Sequence, residues 1–317
     1  MPRLEAFAIK HNHLPLTRHP AWLKVLQRGL RHIPYCIEAT EAGKTQGYLP
    51  LAHVSSMLFG KFLVSLPFLN YGGVVADEPE IGNALINKAA DLADRLGVRY
   101  LELRHEAGVD HPCLVHRVSS KVHMRLRLPS TSEVLWKNLD AKVRNQVRKG
   151  QKADLCVVWG GQDLLPEFYS VFSRNMRDLG TPVYSPKLFL ATLRQFPNRA
   201  EFCVVRAGSE PVAASLLLHG WGVSEVPSAS SLRQFNHTNA NMLMYWHLLE
   251  RAVERGQREF DFGRSSIDSS TFRFKKQWGA EPANSEWQYY LRAGSVGDMR
   301  PDNPRYQRMI RLWQRLP

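Results

Sequence analysis

Apolar residues recur along this chain at helical and strand spacings, in an order that repeats once. The first pass has a helix over His19 to Gly29, two strands within Pro34 to Val54 around the turn from Glu41 to Lys44, and an apolar strand near Phe62 to Leu66. The loop PFLNYGG (Pro67 to Gly73) leads to a helix from Glu80 to Leu96, which Gly97 stops, and then to a strand from Tyr100 to Leu103. The second pass has a helix over Leu164 to Leu179, a hairpin over Glu201 to His219 that turns between Ala207 and Pro211, and a strand from Val223 to Ser231. A helix from Asn239 to Arg255, stopped by Gly256, precedes a strand from Glu259 to Phe262. Glu102 lies five residues after Gly97 and Asp261 five after Gly256, and an arginine soon follows each acid, Arg104 or Arg264. A period of about 160 residues carrying the same elements argues for duplication of one α/β unit. Because hairpins force antiparallel neighbours, the expected fold is α/β (α+β), with mixed sheets and flanking helices. The lobes are expected at 1–130 and 131–296, followed by a tail at 297–317.

The segment Phe260 to Ala280, FDFGRSSIDSSTFRFKKQWGA, concentrates the most unusual chemistry. In the strand, Asp261 and Gly263 are expected on the face opposite Phe260 and Phe262. Gly263 should let the chain turn into a hydroxyl-rich loop, after which Phe272 to Lys276 bring two aromatics and three cations into five residues. FDFGRS followed by FRFKKQWGAEP resembles the closing motif of the Fem family of peptidyl and aminoacyl transferases, whose FK..(F/W)G element is spelled here by Phe274, Lys275, Lys276, Gln277, Trp278 and Gly279. More narrowly, the chain resembles FemAB-related proteins found with exosortase (PEP-CTERM) and exopolysaccharide loci. That resemblance spans nearly the whole chain and implies two tandem acyl-CoA N-acyltransferase (GNAT)-like lobes.

Composition narrows the partners. At 317 residues, 44% of them apolar, the chain has ample material for a folded core. No stretch approaches the roughly 20 apolar residues of a membrane span, and the start lacks a signal-peptide core, so a cytoplasmic location is expected. Lysine and arginine outnumber acids 42 to 29, a formal charge of +13. This excess favours an anionic small-molecule or carrier-linked substrate, an RNA, or the anionic face of a membrane. Cys36, Cys113, Cys156 and Cys203 are scattered and read as buried thiols, and His105, His111 and His116 are interrupted by Pro112. No metal is assigned. There is no GxGxxG after a strand and no P-loop.

Leu135 to Lys152 reads as one amphipathic helix, with Trp136, Leu139, Val143 and Val147 on one stripe and Lys137, Arg144 and Arg148 on another. Its K.R..VRK pattern, which also contains Lys142, recurs at the start of the second lobe in Fem-like proteins. An ordinary solvated face is the competing account. In the tail, Tyr306, Met309, Ile310 and Trp313 lie at helical spacing among arginines, suited to docking on the body or to contact with an anionic membrane. The glycines of PFLNYGG, beside Tyr71, allow a ligand close to the backbone, although a plain turn explains them as well.

In the resembled family an activated acyl group, usually an amino acid esterified to transfer RNA, passes to an amine of a cell-envelope precursor. Lys275, which matches the motif lysine, is the expected opponent of the tetrahedral oxyanion, with Lys276 second. Arg264 and Arg273 suit phosphate. Asp261 is either the base for the attacking amine or a salt-bridge partner of Arg264 or of a lysine. Asn241 and Tyr245, one helical turn apart, are placed to orient an acceptor, and Arg104 with Glu102 to hold the precursor. Lys275→Ala is expected to slow turnover with little loss of stability. The RxxGxG pyrophosphate loop of coenzyme A-dependent relatives is missing, and so is the long heptad arm of several transfer-RNA-dependent ones. The donor therefore stays open between aminoacyl-tRNA and acyl-CoA. A coenzyme A-dependent N-acetyltransferase and a non-catalytic binder of RNA or anionic polymer are the alternatives.

Overall fold

The computed structural model describes residues 2–11, 15–56 and 60–292. In chain order the elements are α1 (Pro2–Lys10), α2 (Trp22–Leu30), β1 (Ile33–Glu41), β2 (Lys44–Ser56), β3 (Gly60–Val64), β4 (Val75–Ala76), α3 (Pro79–Arg95), β5 (Tyr100–His105), β6 (His116–Val118) and β7 (Lys121–Arg127). There follow α4 (Ser132–Asn138), α5 (Ala141–Gln151), β8 (Leu155–Gly160), α6 (Leu165–Asp178), α7 (Pro186–Gln195), β9 (Ala200–Ala207) and β10 (Glu210–His219). The last are β11 (Val223–Ser231), α8 (Ala240–Glu254), β12 (Glu259–Ser266), α9 (Ser270–Lys276), β13 (Glu281–Ala283) and β14 (Glu286–Leu291).

These form two compact units with one mixed seven-stranded sheet each, a tandem GNAT-like architecture. The first sheet runs β1-β2-β3-β5-β14-β6, with β4 beside β2; the second runs β13-β7-β12-β11-β10-β9-β8. The two units do not divide the chain at position 130. One takes residues up to Val122 and a segment that begins at Asn284, and the other takes His123–Ala283. The returning strand is the reason, because β14 inserts between β5 and β6 in antiparallel register, with Tyr289 opposite Glu102 and also opposite His116. The tail at 297–317 lies outside the described residues.

In the first unit, α3 covers the sheet. Pro79 starts it at a position with no amide hydrogen to satisfy, and Leu85, Ile86, Ala89 and Ala93 form its buried stripe against Leu49, Leu51, Leu63, Leu101 and Leu103. Gly97, at φ +62°, closes the helix by donating to the Asp94 carbonyl, and Val98 donates to that of Ala93. In the second unit α8 ends the same way, Gly256 at φ +67° donating to Val253 and Gln257 to Ala252. Unlike α3, this helix is buried on nearly every face. Sheet strands cover one side and α4 and α5 the other. A second core layer stacks Phe168, Phe172, Phe189 and Phe202 beneath α6 and α7, with ring centroids 4.3 to 5.7 Å apart.

Leu135 to Lys152 is two helices, not one. The chain breaks at Leu139 and Asp140, and the Arg144 guanidinium turns back to the carbonyls of Trp136, Lys137 and Leu139 at the end of α4. The helix α9 was not expected. Ser269 caps it by accepting the Phe272 amide hydrogen, which places Phe272 to Lys276 on a helix.

Candidate functional site

Among the described residues each unit has a pair of neighbouring parallel strands, β3 with β5 and β11 with β12, whose ladder ends on a buried acid. In the second unit the register of β11 with β12 is Val223↔Glu259, Ser224↔Phe260, Glu225↔Asp261. Past that point each strand kinks. The register of β11 with β10 shifts between Leu216 and Leu218, which puts an extra residue into β11 at Val226–Pro227, and Pro227 has no amide hydrogen to donate. On β12, Gly263 sits at φ +77°, a conformation glycine adopts without strain. The strands therefore part, β11 continuing against β10 to Ser231 and β12 running on to Ser266. Gly263 does not end the strand as expected; it bends it. Nor does the strand show one solvated face, since Phe260, Asp261, Phe262 and Gly263 are all buried.

The first unit has the same start and a different ending. Leu63↔Leu101 and Val64↔Glu102 form the parallel ladder between β3 and β5. Beyond it the chain fills its own gap: Ser65 donates to the Glu102 carbonyl, Gly72 and Gly73 to that of Arg104, and the Arg104 amide to Ser65 Oγ at 2.8 Å. The glycines of PFLNYGG are thus packing glycines. A side chain at Gly72 would collide with the Ser65 backbone, and one at Gly73 with the His105 ring. Tyr71 is fully buried, and Arg104 is held by Glu102 (2.7 Å), by the Leu69 carbonyl and by the Trp287 ring (4.0 Å). Neither faces open space as a substrate contact.

At the open pair, Asp261 is 1% exposed. Its Oδ1 accepts the Gly263 amide hydrogen at 2.6 Å, and its Oδ2 lies 3.4 Å from Nε of Arg125 on β7. Arg125 is thus a salt-bridge partner that the sequence did not suggest, and it also approaches Glu259 at 3.5 Å. Lys275 is buried, and its Nζ donates to the carbonyls of Gly263 (3.1 Å) and Arg264 (3.0 Å). An ammonium is thereby fixed against the bend in β12, so its removal must cost stability, contrary to the expectation from sequence. Lys276 is exposed over the Phe272 ring, and exposed Arg273 donates to the Asp268 carbonyl at 2.8 Å.

Behind β12, Tyr245 packs among Phe262, Phe274 and Trp278, with centroids 4.9 to 6.2 Å away. Burial pushes its hydroxyl above the usual phenol range. Asn241 is half-buried on the same helix. On α5, Lys142 and Arg148 are exposed as expected, and Arg148 lies 5.5 Å from the Trp136 ring. Arg144 instead caps α4. Glu225 and Arg125 were missed in the sequence; a lone acid inside VSEVPSASS and the first of two arginines inside MRLRL were the only local signals.

Other polar groups at the closed end of the second sheet are structural. His219 lies 2.8 Å from both Ser224 Oγ and Glu201 Oε1, while Arg251 and Arg255 donate to Glu201. Burial works to raise the Glu201 carboxyl, but the hydrogen bonds from His219 and Arg251 outweigh it and hold it down at about 2. Cys203 is buried, Cys36 and Cys113 are half-buried, and Cys156 is exposed, so the reading of all four as buried thiols holds in full only for Cys203. Among the described residues no group of three or more His, Cys, Asp or Glu is placed to hold a metal ion, and no helix is long and apolar enough to cross a membrane.

Comparison with known proteins agrees with this geometry. Residues 137–276, which include the open strand pair, α8 and α9, match the family model described as Acetyltransferase (GNAT) domain. Comparison with curated protein sequences gave no match. Among solved structures the chain is similar to FemX, with a TM-score of 0.67 and 15% identity over 98% of each chain. It is also similar to L-PGS from Bacillus licheniformis, with a TM-score of 0.60 and 12% identity over 99% of this chain and 96% of that one. A third likeness is to a tandem GNAT protein from the clavulanic acid biosynthesis pathway, with a TM-score of 0.57 and 14% identity over 92% and 94%. The chain has the tandem GNAT fold, and residues 137–276 of its second unit match a GNAT acetyltransferase domain.

Proposed function

We propose that this protein is an N-acyl or aminoacyl transferase that moves an activated acyl or amino-acid group onto an amine of a cell-envelope or exopolysaccharide precursor, on the cytoplasmic side. The observation that carries this reading is the parting of β11 and β12 immediately beyond Glu225 and Asp261. Two strand edges that leave each other present backbone donors and acceptors to an extended acyl donor. In the first unit the corresponding edge is taken up by Ser65 to Gly73. The chemistry is therefore assigned to the second unit.

In this scheme the amine nitrogen attacks the acyl carbonyl carbon, negative charge builds on the carbonyl oxygen, and the carrier leaves as a thiol or a ribose hydroxyl, taking up a proton. Lys275, with its ammonium already oriented by two carbonyls, opposes the oxyanion. Asp261 receives the amine proton or, through Gly263 and Arg125, fixes the bend that places the donor. Arg264, Arg273 and Lys276 serve the phosphates of an anionic carrier, and Asn241 the acceptor side, with Tyr245 packed in the aromatic core behind it. The Fem-like motif and the likeness to FemX support an aminoacyl donor, in keeping with the exosortase-associated relatives that the sequence resembles. Acyl-CoA is the second reading, supported by the acetyltransferase domain match over 137–276.

Mass spectrometry of the purified chain for a co-purifying donor or precursor, followed by a transfer assay with that compound, tests the proposal. Titration with acetyl-CoA separates the two donors. Failure of both acyl-CoA and aminoacyl-tRNA to label any amine acceptor would overturn it.

A further inference from the structure

Among the described residues four strands end the two sheets, β1 and β6 in the first unit, β13 and β8 in the second. An end strand offers backbone donors and acceptors to any chain that lies alongside it, and three of these four carry devices that discourage a neighbour. β1 contains Pro34, which has no amide hydrogen, and the carboxylates of Glu38 and Glu41. β6 is three residues long with Arg117 at its centre, and β13 is three residues long and contains Glu281 and Pro282. β8 has none of these devices. It reads LCVVWG over six residues, without charge or proline, and Val157, Val158 and Trp159 favour an extended backbone. Its inner side pairs with β9 along its whole length, from Leu155↔Ala207 to Gly160↔Phe202. Among the described residues its outer side bonds to no other backbone. The Cys156 side chain is exposed and the other five residues are half-buried, so solvent reaches this strand.

The charges flanking the strand select its partner. Lys149 and Lys152 outnumber Asp154 before β8, and Asp163 follows it, all four of them exposed. One end of the strand is thus basic and the other acidic. A two-fold axis perpendicular to the sheet sets two copies of β8 antiparallel, so that each basic end meets the acidic end of the other copy. A parallel arrangement would set like charges together. Between the ends, uncharged residues meet uncharged residues in every register, and the strands overlap most fully with Val157 or Val158 on the axis.

We propose that a second copy of this chain pairs with β8, making an antiparallel two-fold dimer in which two seven-stranded sheets run on as one. Each copy contributes a single edge, so the assembly closes at two. The contact is one short strand rather than a broad face, which sets the expected Kd on the order of micromolar. None of these residues takes part in the transfer scheme, so the dimer stands or falls independently of it.

The test is sedimentation velocity on the full chain with a reductant present, so that the exposed Cys156 thiol forms no disulfide. Between about 1 and 100 µM the monomer is expected to give way to a species of twice its mass. Hydrogen exchange at the β8 amides is expected to slow over the same range. Cys156→Glu sets one carboxylate from each copy beside the axis. In the monomer that carboxylate faces solvent next to Arg206, the register partner of Cys156 on β9, so the variant is expected to keep its melting temperature and to weaken the dimer at least tenfold. Four results would each overturn the proposal: the chain stays monomeric throughout, Cys156→Glu dimerises as tightly as the parent, the assembly grows beyond two copies, or the β8 amides exchange slowly at every concentration. The last would mean that another segment of the same chain already covers the edge.

Discussion

The Lys275 ammonium lies 3.1 Å from the carbonyl oxygen of Gly263, the residue at which β12 bends. A buried cation is therefore part of the backbone geometry of the site as well as a candidate for its chemistry. Lys275→Met, which keeps the aliphatic stem, is expected to cost about 2 kcal/mol, the usual scale for a buried hydrogen bond with a charged donor. It is also expected to cut turnover about a hundredfold, by analogy with the loss of an oxyanion donor. Urea unfolding and initial rates measure the two effects separately. A folded variant with wild-type rates would remove Lys275 from the mechanism.

Gly263→Ala tests the bend itself. A Cβ at φ +77° costs about 1–2 kcal/mol, and relaxation of that strain would move the amide hydrogen held by Asp261. The urea midpoint is expected to fall with its slope unchanged, and activity is expected to fall further than stability alone explains.

Acid should destabilise the chain in two stages. The His105 and His219 imidazoles are both held below their ordinary value of 6.5, His105 at about 4, chiefly by burial. The unfolded chain thus takes up protons first as pH drops below 6.5, and stability falls through that window. Glu201, held at about 2 against an ordinary 4.5, contributes stability above pH 4.5 that is lost as pH falls from there toward 2. Melting temperatures between pH 8 and 3 are expected to show both declines. His105→Phe should remove part of the first and leave the second.

The exposed cations of α5 and the chain beside it separate surface charge from scaffold. Lys142, Arg148 and Lys149 are solvent-facing, whereas the Arg144 guanidinium is spent on α4 carbonyls. If the donor rides on RNA, replacing those three by alanine should flatten the salt dependence of binding by about two, on a scale of roughly 0.7–0.9 per phosphate contact. Arg144→Ala should leave that slope alone and lower the melting temperature.

Elements with a strong internal period were legible in the sequence. The glycine-stopped helices α3 and α8, the hairpins of β1 with β2 and β9 with β10, and the strands β5 and β12 fall close to where patterning puts them. Short pieces whose stability comes from distant partners were not: β13 pairs with β7, and β14 with β5 and β6, leaving little local trace. Asp261 and Lys275 could be singled out because one short motif holds both. Arg125 and Glu225 arrive from other strands, so only the sheet reveals them beside Asp261. Arg144 was misread because a cation on a polar helical stripe looks the same whether it faces water or folds back onto carbonyls.

The crossing of β14 into the first sheet has a genetic corollary. The first sheet is not encoded by one uninterrupted stretch, because β14 follows every strand of the second, so a fragment cut at position 130 would carry β5 with the edge that β14 covers left bare, and would open the strand holding Glu102 to self-association. Inheriting that fragment alone would therefore yield an aggregation-prone remnant, because the first sheet is complete only when β14 returns to it.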